Sequence, residues 1–177
     1  MIIQLTQTEL SKIKTFCNDV HTARSNRDRR NKDEGEHRIV REMVGKIGEY
    51  AAWKATGIGQ VDFKIYKDRE VSKNCDGDLT PYTHVKTCAE EYRGTKYDGW
   101  LISLYDRWFD KPQIDDRIIL CYAKVDGWVD VAGWVKATEM KPFYRLPQNR
   151  RLIHKLAIYR TDVDHIIYPI DILESGV

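Results

Sequence analysis

Between Gly77 and Cys88 the chain reads GDLTPYTHVKTC, and three of its side chains, Asp78, His84 and Lys86, are of types that act on phosphoryl groups. Thr80-Pro81-Tyr82 reads as a tight turn between two short strands, Asp78-Leu79 and Thr83 to Lys86. With the chain turned there, Asp78 and His84 fall roughly opposite each other. Lys86, two residues beyond His84, points to the same sheet face. One face of a hairpin then collects a carboxylate, an imidazole and an ammonium. Phosphodiester hydrolysis needs such a set. A carboxylate holds Mg²⁺ against a phosphate oxygen, the metal lowers the pKa of an attacking water, and a lysine orients that water or balances the charge that develops. The spacing alone is weak, since Asp78 also suits a turn and Lys86 a solvated surface. The elements around the motif add weight.

Those elements begin with a helix. Thr6 or Thr8 can cap it, and Leu10, Ile13, Phe16, Val20 and Ala23 recur at three- and four-residue steps as one apolar stripe. The expected span is 6–30. Its far end enters RSNRDRRNKDEGEH, which places Arg24, Arg27, Arg29 and Arg30 together ahead of acidic residues. A second helix is expected over Arg38 to Thr56, with Val40, Met43, Val44, Ile47 and Ala51 as its buried stripe and Gly57 as its stop. Gly45, Gly48 and Ala52 form a small-residue side. Each glycine costs about 1 kcal/mol of helix stability against alanine, so two of them suggest a close approach to a sheet or a ligand.

The period then changes from helix to strand. Val61, Phe63 and Ile65 alternate with polar residues, and Trp100 to Tyr105 reads as a further strand. Arg117 to Lys124 and Trp128 to Val135 form the clearest hairpin, joined at Asp126-Gly127. A short helix or turn starts at Thr138. The run from Pro147 to Lys155 is basic, with Arg150, Arg151, His154 and Lys155, and Ile158 to Leu173 suits a strand or a closing helix equally. The order predicts an α+β or mixed α/β structure: one central mixed sheet of about five strands, flanked by helices, in a single domain over 1–177. Its core lies over about 38–140 and is followed by a helical or irregular tail over 141–177.

Bulk properties exclude little. The formal net charge is +2, so any case for nucleic acid rests on local clusters, here Arg27, Arg29, Arg30 and Arg150, Arg151. No apolar run approaches the roughly 18 residues that span a bilayer. The start MIIQLTQTEL has no basic region followed by an apolar one, so the expectation is a cytoplasmic protein without a membrane partner. The cysteines, Cys17, Cys75, Cys88 and Cys121, lack CxxC spacing and read as reduced packing residues. The five tryptophans read as core more than as base-stacking platforms.

DLTPYTHVKTC resembles the paired motif of the PD-(D/E)XK nucleases, and GKIGEYAAWKATG resembles the helix that precedes it in many members, Holliday-junction resolvases among them. IILCYAKVDGWVDVAGWVKATEM is similar to the closing strands of such domains, so the likeness covers roughly 38–140. It implies a restriction-endonuclease-like fold, Mg²⁺ or Mn²⁺ as cofactor, and DNA as the partner. It gives Glu49 the helix carboxylate position, Asp78 the central metal ligand and Lys86 the catalytic lysine. One departure stands out: His84 occupies the place of the second motif's acid. An imidazole suits Mn²⁺ better than Mg²⁺, and Asp76 in NCDGDL can supply the missing carboxylate. The implied activity is that of a metal-dependent DNA endonuclease. A homodimer follows if it makes double-strand cuts, because one such site cuts one strand. The alternatives are a non-catalytic nucleic-acid or protein-binding module on the same fold, and an RNA-processing nuclease.

Overall fold

The computed structural model describes residues 1–25, 35–65, 77–92, 95–96, 98–104, 106–147 and 155–173. Helix α1 (Gln7–Ser25) opens on a reciprocal cap. The Thr6 N–H donates to Glu9 Oε2 at 2.7 Å, and the Glu9 N–H donates to Thr6 Oγ1 at 3.3 Å. Helix α2 (Gly35–Thr56) stops at Gly57, whose φ of 68° suits only a residue without Cβ and whose N–H donates to Trp53 O at 2.7 Å. Leu10, Ile13, Cys17 and Val20 of α1 and Val44, Ile47, Ala51 and Ala52 of α2 are buried, so the two apolar stripes read from the sequence meet the core.

The central sheet has four strands, β1 (Ile2–Gln4), β2 (Thr83–Ala89), β6 (Arg117–Ala123) and β7 (Trp128–Lys136), in the order β1-β7-β6-β2. It is mixed. Strand β2 runs parallel to β6, with Thr83 opposite Arg117 and Ala89 opposite Ala123, while β6–β7 and β7–β1 are antiparallel. The β6–β7 connection is the predicted one: Gly127 turns with φ 91°, and the Lys124 N–H donates to Trp128 O at 2.9 Å. Strand β6 is apolar almost throughout because both its faces are covered. Ile119, Cys121 and Ala123 face α1 and α2, and Ile118, Leu120 and Tyr122 face the opposite core. In β7 a bulge opposite Leu120 and Cys121 falls at Gly133, φ 147°. The extra residue shifts the alternation by one, so that Trp134 joins the helix-side core and Val135 the other.

The second core is closed by β5 (Gly99–Ser103) paired antiparallel with β8 (Lys155–Tyr159), by α3 (Arg107–Asp110) and by α4 (Arg160–Val163). Trp100 fixes this layer to the sheet, its Nε1–H donating to Cys121 O at 2.9 Å. A further two-residue pair joins β3 (Glu91–Tyr92) to β4 (Thr95–Lys96). Trp100, Trp108 and Trp134 are buried, in line with their reading as core.

Four expectations need correction. Among the described residues the central sheet has four strands with separate pairs beside it, not about five in one sheet, because β2 reaches β6 in parallel and the chain between must cross over. Residues 61–65 form no strand. Their polar groups are met locally instead: Asp62 Oδ1 accepts the Lys64 N–H at 2.8 Å, and Asp62 O accepts from Lys46 Nζ at 2.9 Å. Asp78-Leu79 is a bend before a single bridge, Thr80 to Thr83, rather than a strand. The tail over 141–177, expected to be helical or irregular, contributes a strand, β8, of which only Ile158 and Tyr159 lie in the run left open between strand and helix.

Gly48 is where α2 meets β2. A Cβ there would lie 1.9 Å from Thr87 Oγ1 and 2.8 Å from Thr87 Cβ, a clash that rotating Thr87 cannot relieve. At Gly45 an added Cβ meets nothing within 4 Å. Gly48→Ala is therefore expected to destabilise by about 1–3 kcal/mol despite its better helix propensity. Gly45→Ala should stabilise by about 1 kcal/mol. Urea unfolding of both variants checks this, and equal midpoints would refute the contact.

Candidate active site

Asp78 is placed by a turn that glycine makes feasible. Gly77 has φ 61°, and a Cβ on it would sit 1.7 Å from Thr80 O. The Asp78 and Leu79 N–H groups both donate to Thr83 O, at 3.0 and 3.1 Å, and the Thr80 hydroxyl donates to Thr83 Oγ1 at 2.9 Å. So closed, the turn returns Asp78 to the start of β2, where its Oδ2 accepts the Val85 N–H at 2.7 Å. A carboxylate thus takes the N–H that a further strand would otherwise use.

Glu49 approaches from α2. Lys46, one turn earlier, pairs with it through Nζ and Oε2, and both side chains are largely buried. The Glu49 carboxyl is pushed up to about 7, first by burial and then by the negative charge of Asp78. Lys46 pulls the other way, and Asp62 adds a smaller push upward.

Lys86 projects from β2 toward α3. Its Nζ lies 2.8 Å from Asp106 Oδ2 and 5.5 Å from the centre of a Trp108 ring. His84 is on the same strand face, 5.8 Å from Trp108 between ring centres, and is buried. Its Nε2 stands 3.5 Å from Oδ1 of Asp116, a fully buried acid, too far for a well-formed hydrogen bond. The other oxygen of Asp116 accepts the Gln113 N–H at 2.7 Å and shapes the turn into β6. Burial holds the His84 pKa below its usual value, with Asp78 and Asp116 opposing and Lys86 reinforcing the shift.

The structure therefore sets Glu49 against Asp78 and puts His84 within electrostatic reach of Asp78 and Lys86, while His84 and Lys86 stand on the strand face away from α2, the helix that carries Glu49. Thr87, on the opposite face of the strand, has its hydroxyl buried against Gly48 without a hydrogen-bond partner. Asp76 and the arginines Arg27, Arg29, Arg30, Arg150 and Arg151 lie outside the described residues, as does Cys75. Cys17, Cys88 and Cys121 are buried free thiols, and burial pushes Cys17 and Cys88 up to about 11.

No three His, Cys, Asp or Glu side chains among the described residues converge as a ready metal shell. Glu49 and Asp78 do meet the condition a divalent cation relieves, two carboxyl groups whose mutual repulsion and burial raise one pKa. Sequence reasoning missed Lys46, Asp106 and Asp116, and named Lys155 only as the end of a basic run. Of the three missed, only Lys46 had a local signal, its three-residue spacing from Glu49 on a helix. Comparison of the chain with protein-family models, with curated proteins and with solved structures finds no match. Among the described residues no helix is long and apolar enough to cross a membrane.

A carboxyl whose folded pKa lies above its unfolded one binds extra protons in the folded state between the two values. Stability then falls as pH rises from about 4.5 to about 7. His84, lowered, has the opposite sign and gains stability as pH rises toward its ordinary 6.5. Comparing wild type with Glu49→Gln isolates the first effect. In chelator, the variant's stability advantage is expected to grow across that window and to be fully present above pH 7. Parallel curves from urea unfolding would show that Glu49 is not so placed.

Proposed function

We propose that this chain is a divalent-metal-dependent nuclease that hydrolyses DNA phosphodiester bonds at the site formed by Asp78, Glu49 and Lys86. The observation that carries the reading is the burial of Glu49 beside Asp78, next to the strand that carries Lys86. Asp78 and Glu49 would hold Mg²⁺ or Mn²⁺, which supplies charge neutralisation at the phosphate and acidification of a bound water.

The chain's own residues do the rest. Asp78 is held rigid by the Val85 N–H, so its free lone pairs keep one direction. Lys46 offsets the charge that Glu49 acquires when it ionises. Lys86, oriented by Asp106 and the face of Trp108, positions the attacking water or stabilises charge on the phosphoryl oxygens. His84, with Asp116 3.5 Å from its Nε2, stands where the family's pattern has an acid.

A second reading, a binding module without turnover, is favoured by one observation: Lys86 is already ion-paired to Asp106. Plasmid DNA separates the two. With Mg²⁺ or Mn²⁺ the wild-type protein is expected to nick it, and Asp78→Asn and Lys86→Ala are expected to lose at least about a hundredfold in rate. Undiminished cleavage by both variants would remove the site. Wild-type protein inert on plasmid DNA would favour the binding module, and inert on DNA but active on structured RNA would make it an RNA nuclease.

A further inference from the structure

The Asp106 carboxylate is shared. Its Oδ2 is 2.8 Å from Lys86 Nζ and accepts the Ser103 N–H at 3.2 Å. Ser103, the last residue of β5, stands directly opposite Lys155, the first residue of β8. The β5–β8 pairing thus sets Lys155 beside the residue whose N–H the Asp106 carboxylate accepts, within electrostatic reach of both Asp106 and Lys86. Lys155 is partly buried, and its charged form is disfavoured first by that burial and then by Lys86, which outweighs the attraction of Asp106. Arg41, from α2, adds a further positive charge. Among the described residues, two ammonium groups, Lys86 and Lys155, thus stand within electrostatic reach of one carboxylate, Asp106, which is ion-paired to Lys86. A phosphodiester group has the charge and the acceptor oxygens to meet the second ammonium.

We propose that Lys155, together with Lys86, binds a backbone phosphate of DNA where β8 meets β2, and that Asp106 is the internal anion with which that phosphate competes. The inference rests on DNA being the substrate, but it does not need turnover. Lys155 is a binding residue here, placed by strand register. Asp106 is a positioning residue that keeps both ammonium groups together while no phosphate is present.

The test is fluorescence anisotropy of a labelled DNA duplex in chelator, repeated over a range of salt concentrations. Lys155→Ala is expected to weaken binding several-fold and to reduce the slope of log affinity against log salt by about one. Lys155→Arg should keep the slope, which separates loss of charge from loss of structure. Asp106→Asn should tighten binding by removing the competing anion. Wild-type affinity and slope in Lys155→Ala would overturn the inference even if plasmid nicking holds. Lys155-dependent binding without nicking would sustain it and overturn turnover instead. Absence of DNA binding by the wild type at low salt, or the same Lys155 dependence only on RNA, would overturn it as well.

Discussion

The separation between α2 and β2 governs the rest of this structure. At Gly48 the helix has no Cβ, and Thr87 of β2 occupies the space that one would fill. A close approach of this kind brings the helix backbone near the strand, so a side chain one position on, Glu49, is carried to the turn that presents Asp78. With any larger residue at position 48 the helix would stand off the strand, and the carboxyl groups of Glu49 and Asp78 would separate. The helix accepts an unfavourable residue, and a buried Thr87 hydroxyl goes without a partner, so that two acids can be held close.

Once those acids are together, low dielectric makes each nearby charge consequential. The structure meets this by giving charged groups their own opposite: Lys46 for Glu49, Asp106 for Lys86, Asp116 beside His84. Each partner comes from a different kind of place. Lys46 is on the same helix, Asp106 begins α3, and Asp116 ends the turn before β6. The pairs fix the direction of side chains that would otherwise sample several rotamers. At Asp106 a second lysine, Lys155, also stands within electrostatic reach.

Much of the frame was legible along the chain. The stop at Gly57, the Asp126-Gly127 turn and the apolar run of β6 each depend on residues close in sequence, and each stands where the pattern puts it; the helix cap, left open between Thr6 and Thr8, falls to Thr6 with Glu9. Local pattern misled at 61–65. Alternation there suits a strand, but the Lys64 N–H is taken by Asp62 Oδ1 and the Asp62 carbonyl by Lys46, and among the described residues no strand pairs with it. It was also incomplete around Asp78, which the sequence set on a strand and the structure holds in a bend by hydrogen bonds to Thr83 and Val85. Strand β8 was missed because its five residues, split between the end of a basic run and the start of an ambiguous one, acquire an identity only when Gly99–Ser103 lies beside them.

The sequence by itself determined the helices, the β6–β7 hairpin, the tight turn after Asp78 and the presence of a carboxylate, an imidazole and a lysine within nine residues, 78 to 86. All of these follow from interactions between near neighbours, where residue type and spacing are sufficient. Tertiary structure decided the parallel union of β2 with β6, the ion pair of Lys86 with Asp106, the orientation of His84 toward Asp116 and the arrival of Lys155. Those contacts join residues about twenty to seventy positions apart. They depend on how layers stack and where charge is buried, and no periodicity or local spacing carries that information.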